Sequence, residues 1–366
     1  MRRPESKRSS MRFSPFLALL FAAACTPVAV VTQQPAEAES SWAARLDIQA
    51  TPLPLNPQDP SQTVVGRLRY MGGVQLTSSD PRFGGLSGLR WYDGQLLAVS
   101  DEGDFFRMTL EEQDERLVGV REVRMRRLTG PDGQPLSGKA ESDAEALELE
   151  WDGRWCLGSD PCQPSHAIVS FEGTNALWKY RLSNGLPDGA PTGVPQSTAW
   201  RRALPQNGGV EGMAGGWMVS EQLREPDGSA SGRLTEWIRF PSGFCSHCDT
   251  PMPLGDPIDS REMPMNLPVS DGFAPTDAAN SSGAIIVLQR RYSPEAGNAA
   301  RVVRFRPEPG SGEITGLETL AEFLPPLTLD NFEGLAAGGG RFIYIVSDNN
   351  FSPTQRTLLL KFQVID

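Results

Sequence analysis

Short apolar runs cut by Gly, Pro, Asp and Asn fill the chain, and few of them keep helical spacing for long. Apolar residues alternating with polar ones between turn formers predict strands. One pattern returns five times: Leu86-Ser87-Gly88-Leu89, Ala144-Glu145-Ala146-Leu147, Val210-Glu211-Gly212-Met213, Thr276-Asp277-Ala278-Ala279 and Phe332-Glu333-Gly334-Leu335. Each copy opens a strand, and each is followed by a turn such as Tyr92-Asp93-Gly94 or Gly338-Gly339-Gly340, a hairpin signal. Returning strands are predicted over 95–100, 167–170, 217–220, 284–288 and 342–347. Third strands over 105–110, 176–182, 234–240, 301–306 and 358–364 alternate apolar with charged residues. A further strand precedes each motif, for example over 67–76. Four strands per repeat predict an all-β fold, a β-propeller with its returning strands side by side around the axis. Five units are recognisable. A sixth blade is expected, hidden in degenerate sequence or completed by pairing the N-terminal strand with the C-terminal one.

Four of the five copies put an acid at one offset: Glu145, Glu211, Asp277 and Glu333. In an antiparallel hairpin the start of the first strand and the end of the second lie together. One mouth should therefore gather these acids with Asp101, Glu102, Glu172, Glu221 and Asp348, which close returning strands. Arg290 stands at the matching place in the fourth unit. Convergent carboxylates repel one another unless protonated or bound to a cation. Calcium takes six to eight oxygen ligands, so Glu145, Glu211, Asp277, Glu333, Asp101 and Asp348 are the candidate metal ligands. Arg290 and Glu221 are the candidate contacts to a small, anionic substrate. The competing reading makes these acids blade caps that accept backbone N–H bonds, as Ser100, Ser170, Ser220 and Ser347 would in closing their strands.

Composition adds a compartment. The chain has 366 residues and a formal net charge of −11. Residues 1–24 join a basic start to a short apolar core over 16–24, an export signal too short to span a bilayer. Ala22-Ala23-Ala24-Cys25 resembles a lipoprotein cleavage site with Cys25 as the lipid-bearing residue; ordinary cleavage after the alanines is the alternative. Residues 25–62, rich in Pro, Ala, Gln and Ser, read as a tether, leaving 63–366 as the folded domain. A periplasmic or envelope-anchored monomer is expected. Without its basic leader the chain is more acidic still, which argues against nucleic acid and anionic membrane surfaces as partners. Any membrane contact would run through the lipid anchor.

Four further cysteines, an even number in an exported chain, suggest the local disulfides Cys156–Cys162 and Cys245–Cys248. Zinc, with His166 and His247 nearby, is the rival, although the spacing fits no familiar zinc module. Cys245-Ser246-His247-Cys248 has a redox spacing without a thioredoxin-like pattern around it.

Phe83-Gly84-Gly85-Leu86-Ser87-Gly88-Leu89, Val99-Ser100-Asp101-Glu102-Gly103, Asn331-Phe332-Glu333-Gly334-Leu335-Ala336 and Val346-Ser347-Asp348-Asn349-Asn350 resemble the family known as "esterase-like activity of phytase". The resemblance covers roughly residues 64–366. It implies a phytase-like β-propeller in an exported bacterial protein, with calcium held by acids as the β-propeller phytases hold it. The Asp-Asp-Pro-Ala type motif of those phytases is absent, which counts against phytate hydrolysis itself. No Gly-x-Ser-x-Gly elbow surrounds Ser87, and only His166 and His247 could serve as an imidazole base, so a serine nucleophile has little support. Three functions remain: a calcium-assisted hydrolase of phosphoesters or esters, a non-catalytic binding propeller of the envelope, and a sugar-lactone hydrolase.

Overall fold

Each repeat folds as an antiparallel sheet that begins with its motif. The structure, a computed structural model, describes residues 43–150, 163–194, 208–224, 230–236, 238–239, 256–257, 265–267, 271–308 and 313–365. Blade 1 runs Leu86–Tyr92, Gln95–Ser100, Asp104–Gln113, Arg116–Arg127. Blade 2 runs Ala144–Glu150, His166–Phe171, Ala176–Ser183, Leu186–Pro187, and blade 3 runs Val210–Ala214, Trp217–Arg224, Ala230–Glu236, Met265–Leu267. Blade 4 runs Ala274–Ser281, Ala284–Ser293, Gly297–Glu308, Glu313–Phe323. Blade 5 takes Asn331–Gly338, Phe342–Asp348 and Thr357–Val364 from the end of the chain, and its fourth strand, Leu68–Ser78, from near the beginning. Together these make a β-propeller.

The strand nearest the axis differs from the expectation. The five motif strands lie against one another in a closed ring, that of blade 5 meeting that of blade 1, and the returning strands stand one layer out. The reason is steric. Glycine and alanine recur in the motif strands, and a side chain at Gly88, Gly212 or Gly334 would collide with backbone of the neighbouring motif strand. Small residues let the strands converge.

Blade number also resolves. Five apolar clusters fill five seams. Leu89, Phe106, Tyr344 and Leu359 join blades 1 and 5, and Leu97, Phe105, Leu147 and Val169 join blades 1 and 2. Ile168, Leu177, Met213 and Met218 join blades 2 and 3. Trp217, Val219, Val287 and Phe305 join blades 3 and 4, and Ile286, Leu288, Leu335 and Phe362 join blades 4 and 5. Among the described residues the ring closes with five blades, and the terminal strands complete the fifth rather than a sixth.

Part of the expected tether belongs to the fold. Ala43–Leu46 pairs with Arg116–Arg127 on blade 1, and Ile48–Pro52 pairs with Leu68–Ser78 on blade 5. One short segment thus covers the outer edges of two adjacent blades, which an open ladder of N–H and C=O groups favours. Cys25, Cys156, Cys162, Cys245 and Cys248, and the leader over 1–24, lie outside the described residues.

Candidate functional site

Strand register decides which motif residues reach the mouth. Each hairpin carries a β-bulge at the motif, where an extra residue on the first strand turns outward from the ladder. In blade 3 Val210 pairs with Ser220 and Gly212 with Val219, so Glu211 is the bulged residue. In blade 5 Phe332 pairs with Ser347 and Gly334 with Val346, which bulges Glu333. Blade 2 shifts register between Val169 and Phe171, opposite the stretch that holds Glu145. In blade 4 Pro275 pairs with Gln289 and Asp277 with Leu288, so the bulged residue is Thr276. The repeated acid is therefore a glutamate in three blades, and Asp277 occupies the position that is glycine in blades 3 and 5. A one-residue offset reverses the direction of a strand side chain.

The same register places Arg290 opposite Ala274 and Asp348 opposite Asn331, so strand starts and strand ends meet at one mouth as expected. Three carboxylates from the two sides of blade 2 converge there: one oxygen each of Asp143, Glu145 and Glu172 lies within 4.8 Å of the others. Burial first, then the charges of Glu211, Asp143 and Glu333, push the Glu145 carboxyl well above the usual carboxylate range. Glu211, itself buried, accepts a hydrogen bond from the Gly209 N–H at 3.2 Å. Asp143 also pairs with Lys139 at 3.0 Å, and the same ammonium donates to Asp101 Oδ2 at 3.0 Å. Lys139 comes from a single helical turn, Lys139–Ser142, inserted before the blade 2 motif. Burial lowers its pKa, but the bonds to Asp101 and Asp143 outweigh that and hold it above its ordinary value. On the far side Arg290 pairs with Glu333 at 3.0 Å. Asp348 accepts from the Asn350 N–H at 2.7 Å, and burial raises its carboxyl to about 6 against the pull of that bond. Glu102 is exposed beside Asp101. Glu221 continues the returning strand of blade 3 past Ser220.

The mouth is thus divided rather than a uniform ring of acids. Glu145 belongs to the blade 2 cluster and feels the charge of Glu211, Lys139 bridges Asp101 and Asp143, and Glu333 is matched by Arg290. Asp143 and Lys139 were not anticipated. Both precede the motif in an inserted turn that no repeat alignment covers. Three serines do stitch strand ends: the Ser170 hydroxyl donates to Val210 O at 2.7 Å, Ser347 donates to Arg356 O at 2.6 Å, and Ser100 accepts from the Asp104 N–H at 3.1 Å.

Asp277 lies fully buried on the axis instead of opening to the mouth. Its carboxylate accepts from the N–H groups of Leu89 at 3.0 Å and Leu335 at 2.8 Å, in blades 1 and 5, and from its own neighbour Ala278 at 2.7 Å. Arg90 Nη1 stands 3.3 Å from it. Burial lifts the Asp277 carboxyl to about 7, with Arg90 and the three N–H groups opposing. Arg90 donates further to the carbonyl oxygens of Leu89, Leu335 and Met213, and its Nε lies 3.7 Å from Glu148. Glu148 in turn accepts from the Gly215 N–H at 3.0 Å. One guanidinium therefore touches groups from all five blades. Arg90 was missed because an arginine two residues past a motif glycine reads as the polar position of an alternating strand.

No curated protein matches the sequence. Solved structures that resemble it are distant. The PQQ-bound aldose sugar dehydrogenase of Streptomyces coelicolor is 13% identical, with 87% of this chain and 99% of that one covered at a TM-score of 0.35. Glutaminyl cyclase of Myxococcus xanthus is 14% identical, with 88% and 97% covered at 0.34. The β-propeller domain of Cps50 (Swd1) from Myceliophteria thermophila is 10% identical, with 86% and 98% covered at 0.32. Similarity at that level says nothing of function. The family described as "Phytase-like: Esterase-like activity of phytase" matches residues 81–351, which include all five motifs and the whole mouth, and the chain belongs to that family.

Proposed function

We propose that the protein is an exported, metal-assisted hydrolase of phosphoester or ester bonds, with a divalent cation, calcium foremost, seated at the blade 2 side of the mouth. The convergence of Asp143, Glu145 and Glu172 carries this reading. Three carboxylates so close and so sheltered repel one another, and a hard cation relieves that repulsion with the oxygen donors it prefers. The residues present fit such an ion, with Glu211 beside them. When bound, the cation would polarise a phosphoryl or carbonyl oxygen.

The remaining side chains have separate tasks. Lys139 and Arg290, on opposite sides of the mouth, would orient the anionic groups of a substrate. Asp348, with its carboxyl near 6, can exchange a proton close to neutral pH and is the candidate acid–base group. Export rests on the leader over 1–24, and lipid attachment at Cys25 would hold the propeller at the envelope. A non-catalytic docking propeller is the second reading. It is favoured by the pairing of Lys139 with Asp101 and Asp143 and of Arg290 with Glu333, which already neutralises part of the mouth.

Thermal melts with calcium and with chelator separate the readings. Selective binding to the folded state at a hundredfold excess over Kd adds about 2.7 kcal/mol. Wild type should melt higher with calcium, and Glu145→Gln with Glu172→Gln should abolish the rise while keeping the fold. Hydrolysis of an aryl phosphate or aryl ester should follow the same dependence. If calcium shifts nothing and the double variant is as stable as wild type or more so, the acids are blade caps.

A further inference from the structure

Among the described residues six large apolar side chains are exposed, and both of the aromatic ones stand at the mouth. Tyr292, 63% exposed, lies in the second strand of blade 4, Ala284–Ser293, past the point where Arg290 pairs with Ala274. The hairpin that carries it therefore overhangs the start of its own motif strand. Side chains two apart on a strand share a face, so Tyr292 follows Arg290, whose guanidinium reaches Glu333 of blade 5 at 3.0 Å. Phe351, 40% exposed, belongs to blade 5 itself, in the loop that leaves the second strand after Asp348.

The Phe351 loop holds an unfavourable backbone. Asn350 and Phe351 take φ of 46° and 48°, a left-handed pair in which a bulky side chain is an outlier. Two side chains fix it. Asp348 Oδ1 accepts the Asn350 N–H at 2.7 Å, and Asn349 Oδ1 accepts those of Phe351 at 3.2 Å and Gly85 at 3.1 Å. The ring edge lies over Gly84 and Gly85 at the entry to blade 1, where an added Cβ would meet Phe351 carbons at 3.0 Å and 2.8 Å and, at Gly85, Asp101 Oδ1 as well. Glycine at both places lets the ring settle on backbone beside Asp101. Strain retained to hold an apolar ring in solvent points to a use for the ring. Asn349 supplies a polar counterpart: its Oδ1 serves the loop, while its amide Nδ2 has no acceptor among the described residues.

We propose that Tyr292, Phe351 and Asn349 form a seat for a sugar ring on the blade 4 and blade 5 side of the mouth, apart from the blade 2 carboxylates. A pyranose presents axial C–H groups, slightly positive, which suit the negative face of an aromatic ring. Its edge carries hydroxyls, which the Asn349 amide and the Arg290–Glu333 pair can hold. An aryl group would use the aromatic faces and leave those polar groups unmatched, so the mixture favours the sugar. The seat needs neither metal nor chemistry. That the ring belongs to the bond being cleaved rests on the hydrolase reading, and it would make the substrate a sugar ester or sugar phosphate.

Saturation-transfer NMR on the full chain, in chelator, tests the seat with methyl pyranosides of the gluco, galacto and manno series, which carry neither ester nor phosphate. Saturable binding of at least one is expected, with transfer strongest at ring C–H groups. Tyr292→Ala and Phe351→Ala, both at exposed positions, should each weaken it about three- to tenfold and leave the melting temperature close to wild type. Tyr292→Phe and Phe351→Trp keep an aromatic face and should keep the binding. Glu145→Gln should leave it unchanged, so the seat and the metal site read out separately. Aromatic-dependent sugar binding without calcium-dependent hydrolysis would support the seat and sink the catalytic reading; hydrolysis without sugar binding would do the reverse. p-Cresol serves as the aryl control and should bind more weakly than the preferred pyranoside. If no pyranoside binds, if the alanine variants bind as wild type does, or if p-cresol displaces the sugar from the same two aromatics at lower concentration, the proposal is overturned.

Discussion

Removing the Arg90 guanidinium would leave Asp277 and Glu148 facing each other across the axis without their shared cation. Both are anchored by backbone N–H groups and cannot swing to solvent. Breaking a buried pair by deleting one partner costs about 3–5 kcal/mol, so Arg90→Met should destabilise by that order in chemical denaturation. Arg90→Met combined with Asp277→Asn should cost less than the two single changes added together, because the second change removes a charge the first had stranded. Strict additivity would show that the two residues act independently. This knot was half legible in the sequence. The repeat flagged Asp277 as an acid of consequence. Its alignment was off by one residue, because Thr276-Asp277-Ala278-Ala279 matches the motif as a string while the bulge in blade 4 falls at Thr276. Only hydrogen-bond register separates those alternatives.

The closing strand of blade 5 depends on a contact to blade 1 that no repeat pattern contains. Lys361, 1% exposed, lies at a register shift between Leu360 and Phe362 and reaches Glu112 at 2.8 Å. Its ammonium sits 4.1 Å from the Phe342 ring centroid, and the Tyr344 hydroxyl donates to the same Glu112 at 3.0 Å. The two partners differ in exposure, which makes their deletions unequal. Lys361→Met substitutes a chain of similar shape and leaves Glu112, about one-third exposed, free to hydrate, so its cost should be about 1 kcal/mol or less. Glu112→Ala strands a buried ammonium and should cost about 3–5 kcal/mol, offset in part by the aromatic faces. Equal losses in equilibrium unfolding would contradict this account. At this scale the sequence reading was good for strands and turns, because period-two alternation and glycine turns are local signals. It misjudged which strand lines the axis. The decisive feature is the small side chains of the motif strands, which let them converge. Ala43–Leu46 and Ile48–Pro52 escaped notice because edge strands bury little and carry weak patterns.

At the scale of the whole molecule, the perturbed carboxyls of the described residues lean one way with Asp80 as the exception. Burial raises Asp277 to about 7 and Asp348 to about 6, and it raises Glu145, Glu148, Asp101 and Asp104 as well. Asp80, paired with Arg82 at the surface, moves the other way. A carboxyl whose folded pKa exceeds its unfolded value keeps its proton longer in the folded state. Its contribution to stability is fully present below the unfolded pKa, near 4, and is lost as pH rises through the folded value. Without divalent cations the propeller should therefore melt higher at pH 5 than at pH 7.5, with most of the loss between about 5 and 7. The easing of net negative charge near the sequence pI of about 4.9 acts in the same direction, so wild type alone cannot assign the effect. Asp277→Asn and Asp348→Asn supply the distinction. Each removes one titrating group while changing the overall charge by a single unit, and each should flatten the slope measurably. A cation held by Glu145 requires that carboxyl ionised, so saturating calcium should flatten the slope further in wild type and not in Glu145→Gln. A melting temperature that rises from pH 5 to 7.5 without calcium, or variants that keep the wild-type slope, would show that these acids are ionised in the folded protein, with the axial and mouth cations already compensating their charge.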